Sequence, residues 1–172
     1  SDAIKYGLAL VPEDRKREGI NLNMSMADNI CMASHDSITV AGHFIKRKRK
    51  ELVDRFFNDL SIRPADPVRL AKNFSGGNQQ KLLLARWMMT KPKVLILDEP
   101  TRGVDVGAKV EIYNIINQLK QRGIGIIVIS SELPEILGIC DRIIVMHNGR
   151  ITGEFTHEEA TQEGIMKCAV NL

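Results

Sequence analysis

Two short runs in this chain put residues capable of phosphate chemistry at the ends of structural elements. Val94-Leu95-Ile96-Leu97 is continuously apolar and leads directly into Asp98 and Glu99. Such a run reads as a buried strand, so the two carboxylates stand at its C-terminal edge, where open parallel sheets bind ligands. One acid there can hold Mg²⁺ or its water shell, and the next can polarise an attacking water, as phosphoryl transfer requires. The plainer alternative is an acid that caps the following turn. The second run, Ser75-Gly76-Gly77, opens a helix. Its glycines let backbone approach a ligand closely, and a helix N-terminus offers free N–H groups and the positive end of the dipole. The Ser75 hydroxyl is either a further donor to that ligand or simply the helix cap.

The surrounding pattern supplies elements to hold these runs. Gly7 to Pro12 reads as a short buried strand, followed by a polar loop from Glu13 to Gly19. Helical spacing occupies Ser25 to Met32 and again about Lys46 to Ile62, where Leu52, Val53, Phe56, Phe57 and Leu60 form one stripe. After the break at Arg63-Pro64-Ala65-Asp66-Pro67, a third helix should run from about Gly77 to Met89. Strand and helix then alternate: strand 94–97, helix 106–121 ended by Gly123, strand 125–130, helix 132–138 and strand 142–147. Continuously apolar strands such as Ile126 to Ile129 predict a parallel sheet covered on both faces. Asn148-Gly149 predicts a hairpin turn into Arg150 to Phe155, with a last helix from about His157 to Ala169.

Composition narrows the classes. A chain of 172 residues can bury a sizeable core, hiding roughly 70% of its unfolded surface. The 24 basic and 21 acidic residues leave a net charge of +3, too little to argue for nucleic acid or an anionic membrane. Cys31, Cys140 and Cys168 have neither disulfide-framework nor zinc-ligand spacing, which fits a reducing compartment. No apolar run reaches the ~20 residues that span a bilayer, and the N-terminus has no signal-peptide pattern. The basic run Lys46 to Lys50 has Glu51 and Asp54 within helical reach and no flanking aromatic platform, so it reads as a solvated helix face. His35, His43, His147 and His157 are scattered, in surface or turn roles, and Trp87 reads as core. Met24, Met26, Ile30 and Met32 form an apolar cluster suited either to core packing or to an adaptable contact.

Taken in order, Phe74-Ser75-Gly76-Gly77-Asn78-Gln79-Gln80-Lys81, Ile96-Leu97-Asp98-Glu99-Pro100-Thr101 and Gly103-Val104-Asp105 strongly resemble the nucleotide-binding domain of ATP-binding cassette (ABC) transporters over nearly the whole chain. The resemblance implies an α/β fold of the P-loop NTPase type, a mostly parallel sheet flanked by helices with a helical signature subdomain. About 21–90 would be the helical insert with the signature motif, and about 91–172 the remaining region with the C-terminal hairpin and helix. It further implies ATP and Mg²⁺ as cofactors. Asp98 becomes the Walker B acid and metal holder, Glu99 the base, and Asp105 the loop aspartate through which two cassettes communicate. Ser75, Gly76, Gly77 and Asn78 become the signature that clamps a γ-phosphate held by a partner cassette, with Phe74 and Asn78 replacing the usual outer members. Val11-Pro12-Glu13-Asp14-Arg15-Lys16-Arg17 and Ser130-Ser131-Glu132-Leu133-Pro134-Glu135 look like the second cassette of tandem ATPases that import ribose, galactose or xylose. Glu13 stands where the family's Q-loop carries glutamine, and Ser131 where a switch histidine is usual.

The implied partners are a second cassette, a membrane permease and, indirectly, a sugar-binding protein outside the membrane, with no nucleic acid. The implied location is peripheral, on the cytoplasmic face of the membrane. An ABC-type ATPase acting on nucleic acid or the ribosome would share the motifs but carry a long coiled coil or basic linker. A non-catalytic assembly module is the third reading. No Gly-Lys dipeptide occurs in the chain, so the phosphate-cradling loop of the family is missing and a truncated cassette is expected. The strand bearing that loop would lie between strands 125–130 and 142–147. Its absence predicts a seam of unpaired backbone, each buried unsatisfied group costing about 1–3 kcal/mol. The isolated chain is therefore expected to rearrange or self-associate, and not to hydrolyse ATP alone.

Overall fold

The computed structural model describes residues 2–33, 38–40 and 43–170, in two compact units, Ser1–Ile129 and Ser130–Leu172. The first unit begins with α1 (Asp2–Lys5) and β1 (Leu8–Val11). The loop expected from Glu13 to Gly19 is instead wound into one wide turn over Arg15–Gly19, because Asp14 accepts from the backbone N–H groups of Lys16 and Arg17. This is the side-chain capping that short polar residues give a turn. Helix α2 (Met26–Cys31) is capped by Ser25, the short strands β2 (Thr39–Val40) and β3 (His43–Phe44) pair antiparallel, and α3 covers Lys46–Asp59. Along α3 the basic run behaves as a solvated face: Arg47 pairs with Glu51 at 2.8 Å and Lys50 with Asp54 at 2.5 Å.

The core of this unit is α4 (Gly76–Met88), β4 (Val94–Asp98), α5 (Val106–Gln121) and β5 (Gly125–Ile129). Helix α4 buries Leu82, Leu83, Leu84 and Ala85 completely. The sheet is parallel in the order β1-β4-β5, with Leu10 opposite Ile96 and Ile96 opposite Ile127. One face is closed, with Ala9, Val11, Leu95 and Leu97 all buried. The other face is bare, which corrects the expectation of a sheet covered on both sides: Leu8, Leu10, Ile127 and Ile129 are each between 41% and 51% exposed. The apolar alternation was written for two covers, and among the described residues only one is present. Met26 and Ile30 are wholly buried, so that part of the methionine cluster is core, whereas Met32 is exposed. Trp87 is only half-buried. His43 is exposed, and His35 lies outside the described residues.

The second unit contains α6 (Leu133–Ile139), the antiparallel pair β6 (Arg142–His147) and β7 (Arg150–Thr156), and α7 (Gln162–Val170). Asn148 and Gly149 both have positive φ, 48° and 75°, as the hairpin turn requires. Ile143, Val145 and Ile165 form its core, with Phe155 and Cys168 packed against them. The last helix starts later than the pattern predicts. Glu159 accepts from both the backbone N–H and the hydroxyl of Thr156, which holds a separate turn before Thr161 caps the helix through the N–H of Gly164. Among the described residues, β5 has a ladder partner only in β4, and β6 only in β7.

Candidate functional site

Ser75 has extended backbone (φ −61°, ψ 161°) and caps α4, its hydroxyl accepting from the Asn78 backbone N–H at 3.4 Å and from Asn78 Nδ2 at 3.0 Å. Asn78 Oδ1 in turn accepts from the backbone N–H of Arg63 at 2.9 Å. The bland role of a helix cap is therefore filled, and the amides of Gly76 and Gly77 remain as the first-turn donors that no helical carbonyl can satisfy.

The two glycines are required by what approaches them. A Cβ on Gly77 would lie 2.5 Å from the Cβ of Ala108, in the first turn of α5. A Cβ on Gly76 would lie 2.9 Å from both the Gly103 carbonyl oxygen and Arg15 Nη2. The turn at Ser75–Gly77 is thus pressed against the 101–108 segment. That segment descends directly from the acidic strand end. Asp98 closes β4, Glu99 has positive φ (45°) and donates its N–H to the carbonyl of Ile129 at 2.8 Å, and Arg102 N donates back to the carbonyl of Glu99 at 3.1 Å. Asp105 caps α5, its carboxylate accepting from the Ala108 N–H at 3.0 Å.

The structure brings Glu13 into the same corner. Its carboxylate forms an ion pair with Arg102. Arg15 donates to the carbonyls of Arg102 at 2.5 Å and Gly103 at 3.0 Å, tying the segment after β1 to the loop after β4. Burial holds the Arg15 guanidinium below its ordinary value, with Asp14 opposing. Eight of the nine residues singled out in the sequence, Glu13, Ser75, Gly76, Gly77, Asn78, Asp98, Glu99 and Asp105, lie on these three linked segments. Asp98 begins the last of them. Ser131 belongs to the second unit. Among the described residues no group of three or more His, Cys, Asp or Glu gathers as a metal cage. Asp98 as a lone strand-end carboxylate fits Mg²⁺, which is commonly held by one or two carboxylates plus phosphate oxygens and water.

Residues 3–102 match the sequence model of the family described as ABC transporter. The chain belongs to the ABC transporter family. Among curated relatives of this ABC chain, the ribose import ATP-binding protein RbsA of Bacillus subtilis (strain 168) is 52% identical over 168 residues, covering 98% of this chain and 34% of that protein. The xylose import ATP-binding protein XylG of Thermoanaerobacter pseudethanolicus is 50% identical over 169 residues, with the same two coverages. The chain spans about a third of the length of these relatives. Among solved structures, an ATP-binding cassette of an ABC transporter in its ADP conformation matches with a TM-score of 0.74 at 22% identity, over 99% of this chain and 71% of that one. The protein cbiO1 of Clostridium perfringens, part of the ABC transporter complex cbiONQ, matches with a TM-score of 0.75 at 22% identity, over 97% and 64%. The fold of this ABC chain is that of an ATP-binding cassette, in agreement with the α/β expectation.

Three residues that position the site escape motif reading. Arg15 lies inside the quoted run from Val11 to Arg17 and Arg102 between two quoted runs, and their charge is the only hint that they pin two loops together. Arg86 is more legible, a lone cation inside Leu82 to Met89. It is 7% exposed and donates to the Asn29 carbonyl at 2.9 Å, to Asn29 Oδ1 at 2.7 Å and to the Gly19 carbonyl. Burial pushes its guanidinium down to about 10, still charged at neutral pH. Lys81, also buried, joins α4 to α5 through Glu111 at 2.6 Å and to the Ser61 carbonyl at 3.1 Å.

Proposed function

We propose that this chain is the C-terminal part of an ATP-binding subunit that couples ATP hydrolysis to import of a sugar or related small solute through a membrane permease. The observation that carries the reading is the close seating of the Ser75–Gly77 turn on the loop that follows Asp98 and Glu99, with Gly77 leaving no room for a Cβ beside Ala108. The printed functions of the half-identical relatives, ribose import and xylose import, support the solute class. The subunit would sit at the cytoplasmic face of the membrane; no helix of the described residues is long and apolar enough to cross it.

The roles proposed for the residues are those that the family resemblance implies. Bound Mg·ATP would supply the phosphoanhydride whose cleavage drives the cycle. Ser75, Gly76 and Gly77 present a hydroxyl, backbone amides and a helix N-terminus to the γ-phosphate of a nucleotide held by a partner cassette. Asp98 would hold the metal or its water shell, and Glu99 would serve as the carboxylate that accepts a proton from water. Asp105 stands on the loop facing the partner cassette, with Glu13 at the Q-loop position and Ser131 at the switch position. Residues 21–90 act as the signature insert and 91–172 as the part bearing the acids and the C-terminal hairpin. The bare sheet face and the unpaired edge of β5 favour self-association of the isolated chain. A sedimentation experiment finding only monomer would remove that part of the reading.

Ser75→Arg in the full-length protein tests the main claim. A bulky cation in the clamp should lower ATP turnover by about 100-fold or more, while an inert assembly module would leave the rate unchanged. The isolated chain should bind ATP no more tightly than about 1 mM, and a micromolar calorimetric affinity would contradict its dependence on a phosphate loop supplied elsewhere. Crosslinking of the full-length subunit to a permease is expected; crosslinking to nucleic acid instead would redirect the assignment.

A further inference from the structure

A groove of about 430 Å³ runs between α3, the C-terminal end of α4 and the segment entering β5. Its floor is apolar, with Leu52 and Phe56 from one wall and Met88, Met89 and Ile124 from the other. Its rim is basic. Lys48, Lys91 and Arg122 line the mouth, and none of them has an acid within ion-pair reach among the described residues. Asp59 is the sole acid at the rim and is already engaged by Arg55 at 3.4 Å.

The neighbours of Lys48 make its state informative. Arg47, Arg49 and Lys50 are each ion-paired, to Glu51, Asp28 and Asp54. Of the two cations of the run that have no ion pair among the described residues, Lys46 and Lys48, Lys48 is the one that lines the groove. Lys91 has positive φ, 53°, a conformation that disfavours a non-glycine residue. Methionine side chains on the floor suit an adaptable apolar contact.

We propose that this groove binds an amphipathic helix of a partner protein whose apolar stripe is flanked by Glu and Asp. From Lys48 to Asp59 the wall formed by α3 spans about three turns, roughly 16 Å, which matches a short helix lying alongside it. Apolar anchors would fill the floor while acids at the edges meet Lys48, Lys91 and Arg122, the helix-in-groove mode of recognition. Only one aromatic, Phe56, lines the groove, so it lacks the stacking platform that single-stranded nucleic acid uses. The groove lies at the opposite end of α4 from Ser75, about 20 Å along the helix, so its occupancy does not rest on the nucleotide chemistry proposed above.

The test uses two synthetic helical peptides of about 18 residues sharing one leucine stripe, the first flanked by glutamates and the second by lysines. Fluorescence anisotropy with the 172-residue chain should show binding of the glutamate peptide that weakens between about 50 and 300 mM salt. Hydrogen exchange should show protection at 48–59, 88–92 and 122–124. In K48E/K91E/R122E the glutamate peptide should lose about 10-fold or more in affinity and the lysine peptide should gain by a similar factor. The neutral variant K48Q/R122Q should show the loss without the gain, and circular dichroism confirms that each variant is folded. The proposal is overturned if the glutamate peptide does not bind, if the two peptides bind wild type equally, or if protection falls on β1 and β5 instead. It is equally overturned if the groove is protected only by phosphatidylcholine vesicles containing about 20% phosphatidylserine.

Discussion

Gly77→Ala isolates the contact on which the site is built. The new Cβ would sit 2.5 Å from the Cβ of Ala108, whereas carbon atoms at rest are about 3.5–4.0 Å apart. Both atoms are fixed to backbone, so neither can swing aside, and the start of α4 must retreat from the start of α5 by about 1 Å. Overpacking of this kind costs about 1–3 kcal/mol, against which alanine regains up to about 1 kcal/mol of helix propensity. The expected result is a net loss of about 1–2 kcal/mol, or roughly 2–8 °C in melting temperature for a chain of this size. Urea unfolding followed by Trp87, the chain's single tryptophan and a member of the first unit, reads this directly. Ala108→Gly removes the opposing methyl, so in that background the cost of Gly77→Ala should fall by about 1 kcal/mol or more. Equal costs in both backgrounds, or a stabilised Gly77→Ala, would refute the steric argument and leave Gly77 with a ligand-binding role only.

Arg86→Ala should cost at least about 3 kcal/mol, because the Gly19 and Asn29 carbonyls lose a charged donor in a buried place. Arg86→Lys should recover little of it, since an ammonium cannot reproduce the fork that spans two segments; chemical denaturation measures both. The hydrogen bonds from the Thr156 N–H and hydroxyl hold the Glu159 carboxyl below the usual carboxylate range. A depressed folded value means a stabilising contribution that is present above the unfolded value near 4.5 and fades as pH falls through the folded value, so melting curves of Glu159→Gln should converge on wild type in acid. Cys31 is buried and burial pushes its thiol up, so iodoacetamide at mildly alkaline pH should label Cys140 and Cys168 faster than Cys31, with the order lost in denaturant, as mapped by peptide mass.

Element by element, the boundaries in the chain's second half were legible because local signals coincide there. Asp105 caps α5, Gly123 ends it in a left-handed conformation, and Asn148-Gly149 turns the hairpin. Each of these acts within a few residues, which is the range a sequence pattern covers. The last helix fails that rule for an equally local reason, since the bond between Glu159 and Thr156 competes with helix over 157–160. The bare face of the sheet is a different case. Leu8, Leu10, Ile127 and Ile129 carry the apolar pattern of a covered strand, and a pattern records what a strand is suited to meet rather than whether it meets it.

The site divides along the same line. Ser75, Gly76 and Gly77 were recognisable by type and spacing, yet their types alone left open whether they capped a helix or faced a ligand. The structure fills the cap, with Ser75 Oγ accepting from the N–H and Nδ2 of Asn78, and shows the glycines allowing the close approach of Gly103 and Ala108. What brings that approach about is Arg15 and Arg102, which tie the loop carrying Glu13 to the loop leaving Glu99, and Arg86, which ties the signature helix to Gly19 at the far end of the same turn. A segment held at one end by the acidic loop and at the other by the signature helix cannot shift without moving both. Glu13 is therefore mechanically coupled to the start of α4 through Arg102 and Arg15.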